Sequence, residues 1–192
     1  VILIGIDPGV HTGIGVWRTE PVADLTVVDT RKIHQAMALV RELMPQLVIV
    51  EDARQRTWFG GADARQRRSG AGIREGIGSV KRDCTIWEDF LRDLGIPCRM
   101  QHPARSATKR TPAWFASVTG WEGRTSEHAR DAAMLVHGMD AARAAVLIAA
   151  AVAPRPVRHG PPPSAPTAAG TFRGAPWDPR PPRRRRALIR RP

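Results

Sequence analysis

The chain has 192 residues, with 30 Lys and Arg against 18 Asp and Glu, a formal net charge of +12 at pH 7. This is enough for one ordinary domain plus an appendage. Two cysteines, Cys84 and Cys98, exclude a disulfide framework or a zinc knuckle, and the lack of a secretory segment points to a reducing, cytoplasmic setting.

The apolar run Val1 to Ile6 predicts a short buried strand over 2–7 that ends in a carboxylate, Asp7. Pro8-Gly9 and Gly13 then force a turn, and alternation resumes over 13–18, so the two runs read as a hairpin. A carboxylate at a strand end beside glycines, where backbone can approach a phosphate closely, suits metal-dependent phosphoryl transfer. A third strand (24–29) and a helix (31–43) follow. The wholly apolar run over 47–51 is a further strand that also ends in an acid, Glu51. Asp52 belongs to the opposite strand face and is left out of the site.

The loop after Glu51 carries Arg54, Arg56, Trp58, Phe59, Arg67 and Arg68. Adjacent aromatics in a glycine-bounded, Arg-rich loop suit propping of bases at a branch point, with the arginines as backbone-phosphate contacts. A long helix over 71–94 is marked by the stripe Ile73, Ile77, Val80, Cys84, Trp87 and Leu91, which should bury against the sheet. Its glycines, Gly70, Gly72, Gly76 and Gly78, either allow close helix approach or mean a later helix start. A strand (96–100) and a short helix (110–119), preceded by Lys109 and Arg110, lead to a helix or helix pair over 127–149. Asp131, His137, Asp140 and Arg143 interrupt that Ala-rich stretch, so it is not a membrane span.

His128 and Asp131, three apart at the start of this last helix, project from one face. Two strand-end acids plus a helix presenting His and Asp make a two-metal site for Mg²⁺ or Mn²⁺, with ions roughly 3.5–4 Å apart activating water and stabilising a leaving oxygen. The nuclease domain is expected to span 1–153. Residues 154–192 hold ten Arg, eleven of the seventeen Pro and one acid, so this tail should be disordered. Its Arg183, Arg184, Arg185 and Arg186 read as a phosphate-binding arm.

Three features together resemble the RuvC family of Holliday-junction resolvases within the RNase H-like nucleases: Gly5-Ile-Asp7-Pro-Gly9 with Thr12-Gly13, the strand ending in Glu51, and His128-Ala-Arg-Asp131-Ala-Ala. The resemblance spans roughly residues 1–140. It implies an α/β fold with an RNase H-like mixed sheet flanked by helices, and a homodimer paired partly through the long helix. The implied metal ligands are Asp7, Glu51, His128 and Asp131, holding two ions per site. Lys109 would stabilise the scissile phosphate, and Trp58 or Phe59 would be the wedge at the junction centre. The short interval from Asp7 to Glu51 is closer to phage-encoded members than to cellular ones. On this resemblance the substrate is four-way or branched DNA, nicked symmetrically to leave 5′-phosphate and 3′-hydroxyl ends. A RuvX-like RNA nuclease and a non-catalytic branched-DNA binder are the alternatives, and a sugar kinase or actin-like ATPase needs far more ordered chain than this.

Overall fold

The computed structural model describes residues 1–55, 70–103 and 111–153, with side chains in the long helix from residue 78 onward. Five strands form one sheet: β1 (Ile2–Asp7), β2 (Thr12–Arg18), β3 (Asp24–Arg31), β4 (Leu47–Glu51) and β5 (Cys98–Gln101), in the order β3-β2-β1-β4-β5. β1, β2 and β3 are joined as antiparallel hairpins, whereas β4 pairs parallel to both β1 and β5. This arrangement follows from the chain. Short turns can link only antiparallel neighbours, and the helices between β3, β4 and β5 supply parallel crossovers. The fold is the RNase H-like mixed sheet.

Both faces of the sheet are covered, which is why β1 and β4 are apolar throughout rather than alternating. On one face α1 (Ile33–Leu43) and α2 (Gly70–Asp93) bury Ala36, Val40, Trp87 and Leu91 against Ile4, Ile6, Ile14, Val16, Val48 and Val50. The expected α2 stripe holds for Cys84, Trp87 and Leu91, all fully buried, with Val80 half-buried. The side chains of Ile73 and Ile77 lie outside the described residues. The helix does begin at Gly70, and a Cβ on Gly78 would meet open space.

The opposite face carries α3 (Pro112–Thr119), α4 (Glu127–Met134) and α5 (Ala141–Val152). Here Leu3, Trp17, Leu47 and Ile49 pack with Phe115, Ala129, Ala133, Val136 and Ala144. Of the helix or helix pair expected over 127–149, the structure has the pair. Gly138 takes a left-handed φ of 71°, and Asp140 caps α5 by accepting from Arg143 N at 2.7 Å. The corner between them is tied to the sheet, since buried Trp17 donates from Nε1 to Met139 O at 2.8 Å. Left-handed backbone costs an L-residue roughly 1–2 kcal/mol. Gly138→Ala should accordingly lower stability by about 1 kcal/mol in urea melts, although its Cβ would meet no neighbour. Among the described residues no helix is long and apolar enough to cross a membrane.

Candidate active site

Asp7 closes β1 opposite Gly13, the second residue of β2. Because Ile6 pairs with Val50 in parallel register, the ends of β1 and β4 are level and bring Asp7 and Glu51 to the same edge of the sheet. Buried Thr12 holds the intervening turn by donating from Oγ1 to Gly9 O at 2.9 Å.

α4 supplies the other two side chains. Ser126 caps it by accepting from Ala129 N at 3.0 Å, and the Ser126 hydroxyl also hydrogen-bonds Thr30 of β3, which pins the helix start to the sheet. Arg130 is buried and donates from Nη1 to Thr125 O at 2.9 Å, fixing the segment that leads into the helix. What lets α4 lie so low is the absence of side chains beneath it. A Cβ on Gly5 would sit 2.0 Å from Ala132 O, one on Gly13 2.0 Å from His128 O, and one on Gly15 2.3 Å from Ala133 Cα. Gly5 and Gly15 are direct cross-strand partners. These strand glycines admit the backbone of α4, and the sequence expectation that glycines here make room for a phosphate is corrected for Gly5 and Gly13.

The low helix brings His128 Nδ1 to 2.7 Å from Asp7 Oδ2. Asp7 is largely buried, with 17% of its side chain exposed, while His128 is 55% exposed. Burial pushes the Asp7 carboxyl up from its ordinary 3.8 to about 6. The hydrogen bond with His128 opposes that rise, and the negative charges of Glu51 and Asp131 add to it. Glu51, His128 and Asp131, all named from the sequence, thus each act on Asp7. Among the described residues no three His, Cys, Asp or Glu side chains stand close enough together to hold a metal ion. The donor set itself fits a hard divalent cation. Two further carboxylates and an imidazole act on a carboxyl that is costly to ionise, a cost that a bound cation would relieve.

No protein-family model matches this sequence, and no curated protein matches it. Solved structures do. T. thermophilus RuvC in complex with a Holliday junction substrate is 16% identical over 79% of this chain and 94% of that one, at a TM-score of 0.44. Thermus thermophilus RuvC on its own is 17% identical over the same shares, at 0.45. Fowlpox virus resolvase in complex with substrate Holliday junction DNA is 11% identical over 77% and 96%, at 0.35. At these values the likeness says nothing of the chemistry, which rests on the side chains.

Among the arginines expected to meet DNA, Arg54 is the one within the described residues, and it is turned into the protein. Its guanidinium grips Asp52 side-on, Nε to Oδ1 at 2.7 Å and Nη2 to Oδ2 at 3.0 Å, and its Nη1 pairs with Glu88 Oε2 at 2.8 Å. Burial pushes the Asp52 carboxyl up, but hydrogen bonds from the side chains of Arg54 and Gln55 and from the Arg54 backbone outweigh it and leave Asp52 below the usual carboxylate range. Sequence reasoning set Asp52 aside and read Arg54 as a backbone-phosphate contact because the partner that completes the network, Glu88, is distant in the chain. Arg56, Trp58, Phe59, Arg67, Arg68, Lys109, Arg110, Arg183, Arg184, Arg185 and Arg186 lie outside the described residues.

Proposed function

We propose that this protein is a divalent-metal-dependent, structure-selective endonuclease that resolves four-way or branched DNA junctions. One observation carries the reading. Asp7 is buried at a strand end, bonded to His128 of α4, and crowded by Glu51 and Asp131. Charge crowding of this kind costs stability and is characteristic of sites built for chemistry. The solved structures of similar fold, two of them junction complexes, support the choice of substrate.

On this reading Asp7, Glu51 and Asp131 would hold two Mg²⁺ or Mn²⁺ ions, with His128 as a further ligand or as the general base, and the ions when bound would neutralise phosphate charge and acidify a water. Asp7 orients the imidazole. As the base, in the tautomer that donates Nδ1–H to Asp7, His128 would use its Nε2 lone pair to accept a proton from the attacking water. The water oxygen would bond to phosphorus as the P–O3′ bond breaks, and the released O3′ oxyanion would take a proton from solvent, leaving 5′-phosphate and 3′-hydroxyl ends. Two protomers related by a two-fold axis would bring two such sites to opposite strands and give paired symmetric nicks. Basic side chains of the tail and of the loop after Glu51 would hold the arms through their phosphates.

The test is an end-labelled four-way DNA junction incubated with Mg²⁺ or Mn²⁺, beside linear duplex and structured RNA. Paired nicks in the junction alone, lost in EDTA, are the expected result. Preferential RNA cleavage would move the assignment to an RNA nuclease. Tight junction binding with no cleavage in either metal would make the chain a binding protein.

A further inference from the structure

The residues that follow Glu51 do not simply leave the strand. Asp52 N continues the ladder by donating to Gln101 O at 2.8 Å, and Cys84 of α2 lies with Sγ 3.7 Å from Glu51 O. The chain then turns through a single 3₁₀ turn, Ala53–Gln55, built around one carboxylate. Asp52 accepts from the Arg54 backbone at 3.0 Å, from Arg54 Nε and Nη2, and from Gln55 Nε2 at 3.1 Å. Gln55 Nε2 also reaches Met100 O of β5 at 3.2 Å, and Arg54 Nη1 reaches both Glu88 and Thr85 Oγ1 of α2. Asp52 is nearly buried, with 5% of its side chain exposed, and Glu88 has 15% exposed. The exit from β4 is therefore fastened to β5 on one side and to α2 on the other.

We infer that the Asp52–Arg54–Glu88 clamp is a positioning device for the candidate site, holding Glu51 in place for cation binding rather than contacting DNA. The inference rests on the reading of Glu51 as a metal-site residue. All three guanidinium nitrogens are engaged inside the protein, through four contacts, which leaves little for a phosphate. A planar side chain that serves two carboxylates at fixed angles also cannot be replaced by a single ammonium, so Lys should not restore the clamp. Second-layer partners of this kind typically change metal affinity or activity by about 10- to 100-fold when removed.

The full-length protein, Arg54→Lys, Arg54→Met and Glu88→Gln would be compared in three measurements. These are Mn²⁺ affinity by electron paramagnetic resonance, four-way-junction affinity in EDTA as a function of salt, and nicking at saturating junction. Positioning predicts that all three variants bind Mn²⁺ about 10-fold more weakly and nick about 10- to 100-fold more slowly, with junction affinity and its salt dependence unchanged. A phosphate contact predicts the opposite split. Arg54→Met would then lose junction affinity and reduce the salt slope by about 0.9, Glu88→Gln would bind the junction more tightly, and Mn²⁺ affinity would stay constant. That pattern overturns the clamp, as does wild-type Mn²⁺ affinity in all three variants. Mn²⁺ binding by the wild type without nicking of any branched substrate would sink the nuclease assignment and leave the clamp standing on the affinity data. Absence of Mn²⁺ binding by the wild type would remove both.

Discussion

Asp7→Asn should abolish junction nicking and at the same time raise the melting temperature of the metal-free protein at pH 8. The loss of cleavage follows from removing the anionic oxygen that both holds His128 and faces the other acids. The gain in stability follows from the direction of the Asp7 shift. Its folded value, about 6, lies above the 3.8 of an unperturbed carboxyl. Between those values the folded state binds more protons than the unfolded state, so the stability that a protonated Asp7 allows is present below pH 3.8 and lost as pH rises through 6. A shift of this size corresponds to about 3 kcal/mol by 1.36 kcal/mol per unit, an upper figure for what Asn recovers. For a chain of this length that is a rise of several degrees, at about 2–4 °C per kcal/mol. At pH 4 the two proteins should melt together. Mn²⁺ or Mg²⁺ should raise the melting temperature of the wild type at pH 8 and leave Asp7→Asn almost unmoved. A mutant that melts lower than wild type at pH 8 would show that the Asp7–His128 hydrogen bond outweighs burial and crowding.

Gly15→Ala should damage the site from beneath. The added Cβ would lie 2.3 Å from Ala133 Cα and 2.8 Å from Ala133 Cβ, and neither atom can swing aside, because one is backbone and the other is fixed to it. α4 must lift, and with it His128 and Asp131. Overpacking of this kind costs about 1–3 kcal/mol. The expected melting temperature falls accordingly, while nicking, assayed well below the melt, drops by about 100-fold because a displacement near 1 Å disrupts reactive geometry. Gly78→Ala is the matched control. Its Cβ enters open space on α2, so it should melt unchanged or up to about 1 kcal/mol more stable through helix propensity. Equal melting and nicking of Gly15→Ala and wild type would mean that α4 has slack on the sheet.

Much of this was legible in the sequence because it depends on local pattern. The continuous apolar runs of β1 and β4 announce strands covered on both sides, and each stops at its acid. The four residues named at the site come from positions that a strand end and a helix turn place predictably, and they do share one edge of the sheet. Over the α4–α5 corner the sequence left one helix or a helix pair open, because alanine propagates a helix as readily as it fills one. The stop comes from one glycine and one capping aspartate inside a run that otherwise favours continuation. The role of the strand glycines was misread because their neighbours are supplied by a helix more than a hundred residues later. Gly13 and Gly15, two apart and hence on one strand face, together with Ala129, Ala132 and Ala133, were the available signal. Arg54 was misread for the same reason of distance, since charge alone does not say whether a partner waits inside the fold.

The corner at Gly138 also bears on how this chain can be taken apart and rebuilt. α4, which carries His128 and Asp131, ends before the corner, and the corner is bolted to β2 through Trp17 and Met139. A segment joined beyond Ala153 follows α5 in the chain rather than α4, so it can be exchanged or shortened without altering the residues that carry His128 and Asp131.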